Sequence, residues 1–315
     1  MCWLDLANAY GSVHHDLIQF VLQHYHAPQS FLAVISSLYS ELSATITSRS
    51  WSTKPVPLKV GVYQGDPLSV VIFNTVMMTL VDTLKADQHL GYTFTKSQRS
   101  IRVLQYADDT CLIANGPASC QQFLVAMEKW LHWTGMRAKV PKCHSLAIEA
   151  STGKRYDPGL QLNGEKIPFI ADKTLKFLGG PIRVPQSTQE HREYLVNKLS
   201  LLLDRINETP VTRKQKLLLY KAGLCSCLNW DLSILELPIS WVSSTLEAKA
   251  TQFLKKWSGL AKSADPSRLY LPRNCGGLQL PSLSLLYRKL RSSQAALLLT
   301  SSDPVTRHVT TIKTQ

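Results

Sequence analysis

The stretch from Ile101 to Ile113 constrains this chain more than any other. Ile101-Arg102-Val103-Leu104 and Cys111-Leu112-Ile113 are short apolar runs that read as two strands, and Tyr106-Ala107-Asp108-Asp109 places two adjacent carboxylates at the tight turn between them. Neighbouring like charges cost free energy unless water, a helix N-terminus or a cation offsets them. Locally this leaves two readings, a solvated hairpin tip or a metal site.

The surrounding segments supply the context. Residues 2–6 read as a short buried strand carrying one acid, Asp5, with a loop over 7–12. Apolar spacing predicts a helix from Asp16 that Pro28 ends, and a second over 31–42 capped by Ser30. Residues 45–47 and 59–62 flank a turn-rich piece with Pro55 and Pro57, which suggests a hairpin. Gly61-Val62-Tyr63-Gln64-Gly65-Asp66-Pro67-Leu68-Ser69 then opens a helix running to about Lys85. Its glycines suit close backbone approach to a ligand, while Asp66 and Pro67 equally suit a plain capped helix start.

An amphipathic helix is predicted over 118–133 with Gly135 closing it, followed by a strand over 145–148. Residues 151–184 are strand and turn material, including an Asn163-Gly164 hairpin turn. From Gln189 onward the pattern is helical, with segments over 194–206, 213–224 and 241–257. The change in composition near residue 185 predicts a domain boundary.

Charge separates the same halves. Residues 1–150 carry 11 Lys+Arg against 10 Asp+Glu, a net of +1, whereas 151–315 carry 24 against 12, a net of +12. A basic second half points to a polyanionic partner. The seven cysteines are scattered with no Cys-x-x-Cys pair, which argues against a disulfide framework; Cys143 and the rest read as small buried residues. The longest apolar stretch, over 70–81, is too short to cross a bilayer, no signal peptide is recognisable, and no membrane partner is expected.

Acids on two separate strands, Asp5 and the Asp108-Asp109 pair, are what a two-metal phosphoryl-transfer site requires. At this point the motifs resemble a known family. Tyr106-Ala107-Asp108-Asp109 resembles the catalytic signature of reverse transcriptases, and Leu4-Asp5-Leu6-Ala7-Asn8-Ala9-Tyr10 the first acidic palm motif of their non-LTR, LINE-like branch. Residues 61–74 resemble that branch's Gly-x-x-Gln-Gly-x-Pro-Leu-Ser loop and helix. Residues 135–143 resemble its Lys-bearing motif, Phe177-Leu178-Gly179 its primer-grip turn, and Gly276-Gly277-Leu278 a segment near its end. Gly11 stands where many members have Asp, and Val70 where Pro is usual.

The resemblance implies an α+β fold: a polymerase palm, an antiparallel sheet backed by helices, over 1–184, then a mainly helical thumb and connector over 185–315. It implies an RNA-directed DNA polymerase that moves a nucleotide from a dNTP to a primer 3′ hydroxyl, with RNA template and DNA primer as partners. Asp5 and Asp108 would hold two Mg²⁺ ions, with Mn²⁺ as the substitute, and Asp109 would support them. Leu6 would offer only its backbone carbonyl. Tyr10 would crowd the 2′ position of an incoming ribonucleotide, Gln64 and Gly65 would touch the templating base pair, and Lys142 would give a proton to leaving pyrophosphate. A nuclear or cytoplasmic location goes with the family. Because the resemblance starts at the first acidic motif, the N-terminal fingers are expected to lie outside this chain; the alternative is a non-catalytic nucleic-acid-binding remnant.

Overall fold

The computed structural model describes residues 1–63, 65–85, 88–94, 100–171, 173–182 and 188–314. The chain divides into two compact units, Met1–Lys173 and Thr174–Gln315. The boundary expected near residue 185 lies outside the described residues.

The first unit is built on a four-stranded antiparallel sheet in the order Val103–Tyr106, Asp109–Leu112, Cys2–Leu4, His144–Ser145. The predicted hairpin thus forms its edge and second strands, and the N-terminal strand inserts beside it. Cys2, Leu4 and Leu112 of these strands are buried among the helices of the unit. His15–His24 packs against Gln29–Ser40 and against Pro67–Lys85, which in turn packs on Pro117–Thr134.

Pro67–Lys85 buries Ile72, Phe73, Val76, Met77, Leu80 and Leu84, a helical stripe, and its Thr79 hydroxyl accepts the Trp130 indole N–H at 2.8 Å. The helix has 19 residues and, by length and composition, is long and apolar enough to cross a membrane, which the apolar run counted over 70–81 understates. Here its buried stripe forms the centre of the first unit's core.

Two local expectations shift. The helix read from Ser30 begins at Gln29 with Pro28 at its N-cap, because Pro28 sits at φ −57°, ψ 142° and makes the turn itself. The hairpin expected between 45–47 and 59–62 has its strands at Ser43–Ala44 and Val56–Pro57, with an inner bridge between Thr47 and Ser52. Val60 bridges His14 instead.

The second unit starts with a hairpin, Leu175–Phe177 and Gly180–Ile182, and is otherwise helical. Thr188–Glu208 is followed by a run over 213–234 that opens on a capping box between Thr212 and Gln215 and includes a π-helical stretch, Leu219–Leu224. A second run over 239–258 contains a π-helical stretch, Val242–Glu247, and Leu283–Leu299 packs across both. Gly277 has no alternative in its turn, since a Cβ there would stand 2.0 Å from the Leu271 carbonyl oxygen. By sequence this unit carries 20 Lys+Arg against 9 Asp+Glu.

Candidate active site

Sheet register assembles the acids. Cys2 pairs with Leu112, Trp3 with Cys111 and Leu4 with Thr110, so Asp5 follows directly on the last paired residue of its strand, and its charge is near enough to act on Asp109. Asp108 occupies the turn itself, beyond the terminal Tyr106–Asp109 pair. Ala107 takes φ +55° at the first turn position, a left-handed conformation that few non-glycine residues adopt and that folds the two strands back within two residues. Thr110, fully buried, donates its hydroxyl to the Asp108 carbonyl at 3.2 Å and accepts from Gln105 Nε2 at 3.3 Å, which braces the turn from beneath.

The three carboxylates are half-buried and feel one another. The Asp109 carboxyl is pushed above its ordinary value, first by burial and then by the negative charges of Asp108 and Asp5. Negative charge is therefore concentrated here, which is the electrostatic setting a cation relieves. The donors are hard carboxylate oxygens from two separate segments, one following the first strand and one in the hairpin turn, the chemistry that Mg²⁺ and Mn²⁺ take. They do not form a closed cage: among the described residues no group of three or more His, Cys, Asp or Glu is placed to hold a metal ion. An ion held by Asp5 and Asp108 would keep open positions for other ligands.

The raised Asp109 pKa has a signed consequence. The folded chain binds this proton more tightly than the unfolded one, so the stability from this group is fully present below the ordinary carboxylate pKa and is lost as pH rises from there through the raised value. Asp109→Asn should remove that dependence and make the metal-free chain more stable at pH 7 than the wild type. Thermal melting of both forms from pH 4 to 7 reads it, and parallel curves would refute it.

Tyr10 joins the group. It stacks on Phe73 with ring centroids 4.1 Å apart and an interplanar angle of 15°, and burial, then the nearby charges of Asp108 and Tyr106, raise its pKa. Its carbonyl accepts the Val62 N–H at 2.9 Å, and Val13 accepts Gly61 N–H at 2.7 Å, so the loop read as touching the base pair is tied to the Tyr10 segment. Gln64 lies outside the described residues. Gly65, at φ +99°, is exposed with open space where a side chain would be. Asp66 accepts the Leu68 N–H at 3.1 Å, the helix-capping role its position suggested. At Gly11 the space an Asp would need is held by the Asn8 amide, 2.3 Å from a built Cβ.

Lys142 is exposed on a 3₁₀ turn, Val140–Lys142. Its turn nevertheless belongs to the site's frame, since Lys139 N–H donates to the Asp5 carbonyl at 2.8 Å and Ala7 N–H to the Arg137 carbonyl at 2.8 Å. Sequence reasoning passes over Phe73, hidden within an apolar helix stripe, and Cys143, which looks like filler. Only the non-local contacts to Tyr10 and Asp5 distinguish them.

A family profile described as reverse transcriptase (RNA-dependent DNA polymerase) matches residues 1–182, more than half of the chain. The chain belongs to the reverse transcriptase family. It is 24% identical over 295 residues to the retrovirus-related Pol polyprotein from the type-2 retrotransposable element R2DM of Drosophila melanogaster, covering 91% of this chain and 27% of that protein. A retrovirus-related Pol polyprotein from a type-1 R2 element of Popillia japonica is 26% identical over 233 residues, 73% of this chain and 38% of the relative. One from Nasonia vitripennis is 32% identical over 152 residues, 47% and 14%. The chain thus spans well under half the length of these relatives. R2 elements are non-LTR retrotransposons, so this reverse transcriptase domain is of the LINE-like kind, and the α+β fold agrees with the family. Reverse transcriptases use divalent metal ions and act on nucleotides with a nucleic-acid template and primer.

Proposed function

We propose that this chain carries the nucleotidyl-transfer site of an RNA-directed DNA polymerase, extending a DNA primer on an RNA template. The observation that carries the reading is the register that sets Asp5 beside the Asp108-Asp109 hairpin, with Tyr10 at its edge. Asp5 and Asp108 would hold two Mg²⁺ or Mn²⁺ ions. Bound there, the metal would lower the pKa of the primer 3′ hydroxyl and stabilise charge on the phosphate. Asp109 keeps the local potential negative. Lys142, on a solvent-exposed turn, would deliver the proton that leaving pyrophosphate takes up. Gln64 and Gly65 would border the templating base pair, and the basic second unit would bind template and primer phosphates.

RNA-templated primer extension by this chain with dNTPs and Mg²⁺ tests the proposal; duplex binding without any extension would favour a binding remnant instead. Tyr10 allows a sharper check. Tyr10→Ala removes the aromatic ring stacked on Phe73, and discrimination against ribonucleotides is expected to drop ~10- to 100-fold, a steric-pocket effect of the usual size. Tyr10→Phe keeps the ring and should keep the discrimination. Measured kcat/KM ratios for dNTP and rNTP decide it, and an unchanged ratio in Tyr10→Ala would remove Tyr10 from this role.

A further inference from the structure

Asp5 stands one residue past the end of its strand, where the ladder no longer fixes it, and both of its backbone polar groups turn to residues 139–143. The Asp5 N–H donates to the Cys143 sulfur at 3.4 Å. The Cys143 thiol donates to the Lys139 carbonyl at 3.6 Å, and the Lys139 N–H donates to the Asp5 carbonyl at 2.8 Å. Three hydrogen bonds therefore close a ring through Asp5, Cys143 and Lys139. Cys143 is the one side chain in that ring, it acts as acceptor and donor at once, and it is fully buried.

The same segment is closed by its own backbone hydrogen bonds. Lys142 N–H donates to the Lys139 carbonyl at 2.8 Å and Cys143 N–H to the Val140 carbonyl at 3.0 Å, closing the turn on which Lys142 sits. Without the sulfur, the Asp5 amide would face a void inside the core, and a buried donor without a partner is costly. A thiol is a weak partner, yet here it spans the gap between the strand end and the turn.

We propose that Cys143 is a positioning residue for Asp5: its sulfur holds the backbone from which the first acidic side chain projects and locks it to the turn that carries Lys142. This rests on the polymerase reading of Asp5 given above. Position matters at such a site because carboxylate oxygens displaced by a fraction of an ångström no longer meet the geometry the reaction needs.

The test compares wild type with Cys143→Ala, Cys143→Ser and Cys120→Ala, the last removing a buried thiol of the same size from the helix Pro117–Thr134. Amide hydrogen exchange at Asp5, read by NMR on the metal-free chain, should quicken about fivefold in Cys143→Ala, the equivalent of one net hydrogen bond. In primer extension, the half-saturating Mg²⁺ concentration should rise and kcat fall in the same variant. Cys143→Ser, which restores an acceptor and a donor, should recover part of both. Cys120→Ala should lower the melting temperature and leave Asp5 exchange and the Mg²⁺ requirement alone.

Unchanged Asp5 exchange in Cys143→Ala overturns the proposal, as does a Mg²⁺ requirement that shifts equally in Cys120→Ala. A wild-type chain that extends no primer would instead count against the polymerase reading, while the exchange data still decide the contact.

Discussion

With Asn in place of Asp108, RNA-templated primer extension is expected to fall on the order of a thousandfold, because one of two charged oxygen donors from separate segments is gone. The fold should not suffer. What the turn asks of residue 108 is its backbone carbonyl, which accepts the Thr110 hydroxyl at 3.2 Å, and Asn supplies the same carbonyl and nearly the same volume. Removing one of three mutually repelling carboxylates should leave the melting temperature unchanged or slightly raised, since the charges of Asp108 and Asp5 are among those that raise the Asp109 pKa. Activity is thus predicted to fall with no loss of stability, the signature of a site that holds unfavourable charge for a purpose. Asp16→Asn, at an acid in the first turn of His15–His24, is the control and should change neither. Equal incorporation by wild type and Asp108→Asn would return the hairpin to a solvated tip.

What could be read from the sequence follows how local each determinant is. The Asn163-Gly164 turn was legible because both residues tolerate positive φ, and they take +52° and +77°. Gly135 was legible as a helix stop, and it stands at φ +71°. The Phe177-Leu178-Gly179 turn shows the limit: Leu178 takes φ +49°, which no propensity for leucine predicts, and the hairpin closes Phe177 against Gly180 regardless. The strand-to-strand register that pairs Leu4 with Thr110, and so brings Asp5 to the hairpin, joins residues about a hundred positions apart, and spacing carries no such information. The family motifs indicated which acids to bring together, but not the Cys143 sulfur beneath one of them or the Phe73 ring beneath Tyr10. Both are apolar-looking residues in apolar-looking runs, and their roles exist only once the chain has folded. Likewise, the π-helical turns at Leu219–Leu224 and Val242–Glu247 interrupt periodicity too slightly to be seen in a hydrophobic pattern.

In the second unit the largest stability effect is expected at Lys198. Asp231 is fully buried, and its carboxylate is held by the Lys198 ammonium at 2.6 Å and the Tyr194 hydroxyl at 3.3 Å. Burial works against the charged Lys198, but the hydrogen bond and the charge of Asp231 outweigh it and raise its pKa. A cation whose folded pKa lies above its unfolded one contributes its stability throughout the neutral range and loses it only as pH rises through the folded value, on the alkaline side. Lys198→Met keeps the aliphatic stem and removes the charge, leaving Asp231 with one neutral partner in an apolar core that includes Leu195, Leu228 and Leu232. Breaking a buried pair from one side costs about 3–5 kcal/mol, and the partial exposure of Lys198 places the expectation at about 3 kcal/mol. Urea unfolding followed by hydrogen exchange in peptides from 188–234 measures this unit separately from the first. Lys198→Met with Asp231→Leu removes the orphaned charge as well and should recover most of the loss, because two apolar side chains can replace a buried ion pair at little cost. A double variant as unstable as Lys198→Met alone would mean that the stem and not the charge is what Lys198 contributes, and an unaffected single variant would mean that Tyr194 suffices to hold Asp231.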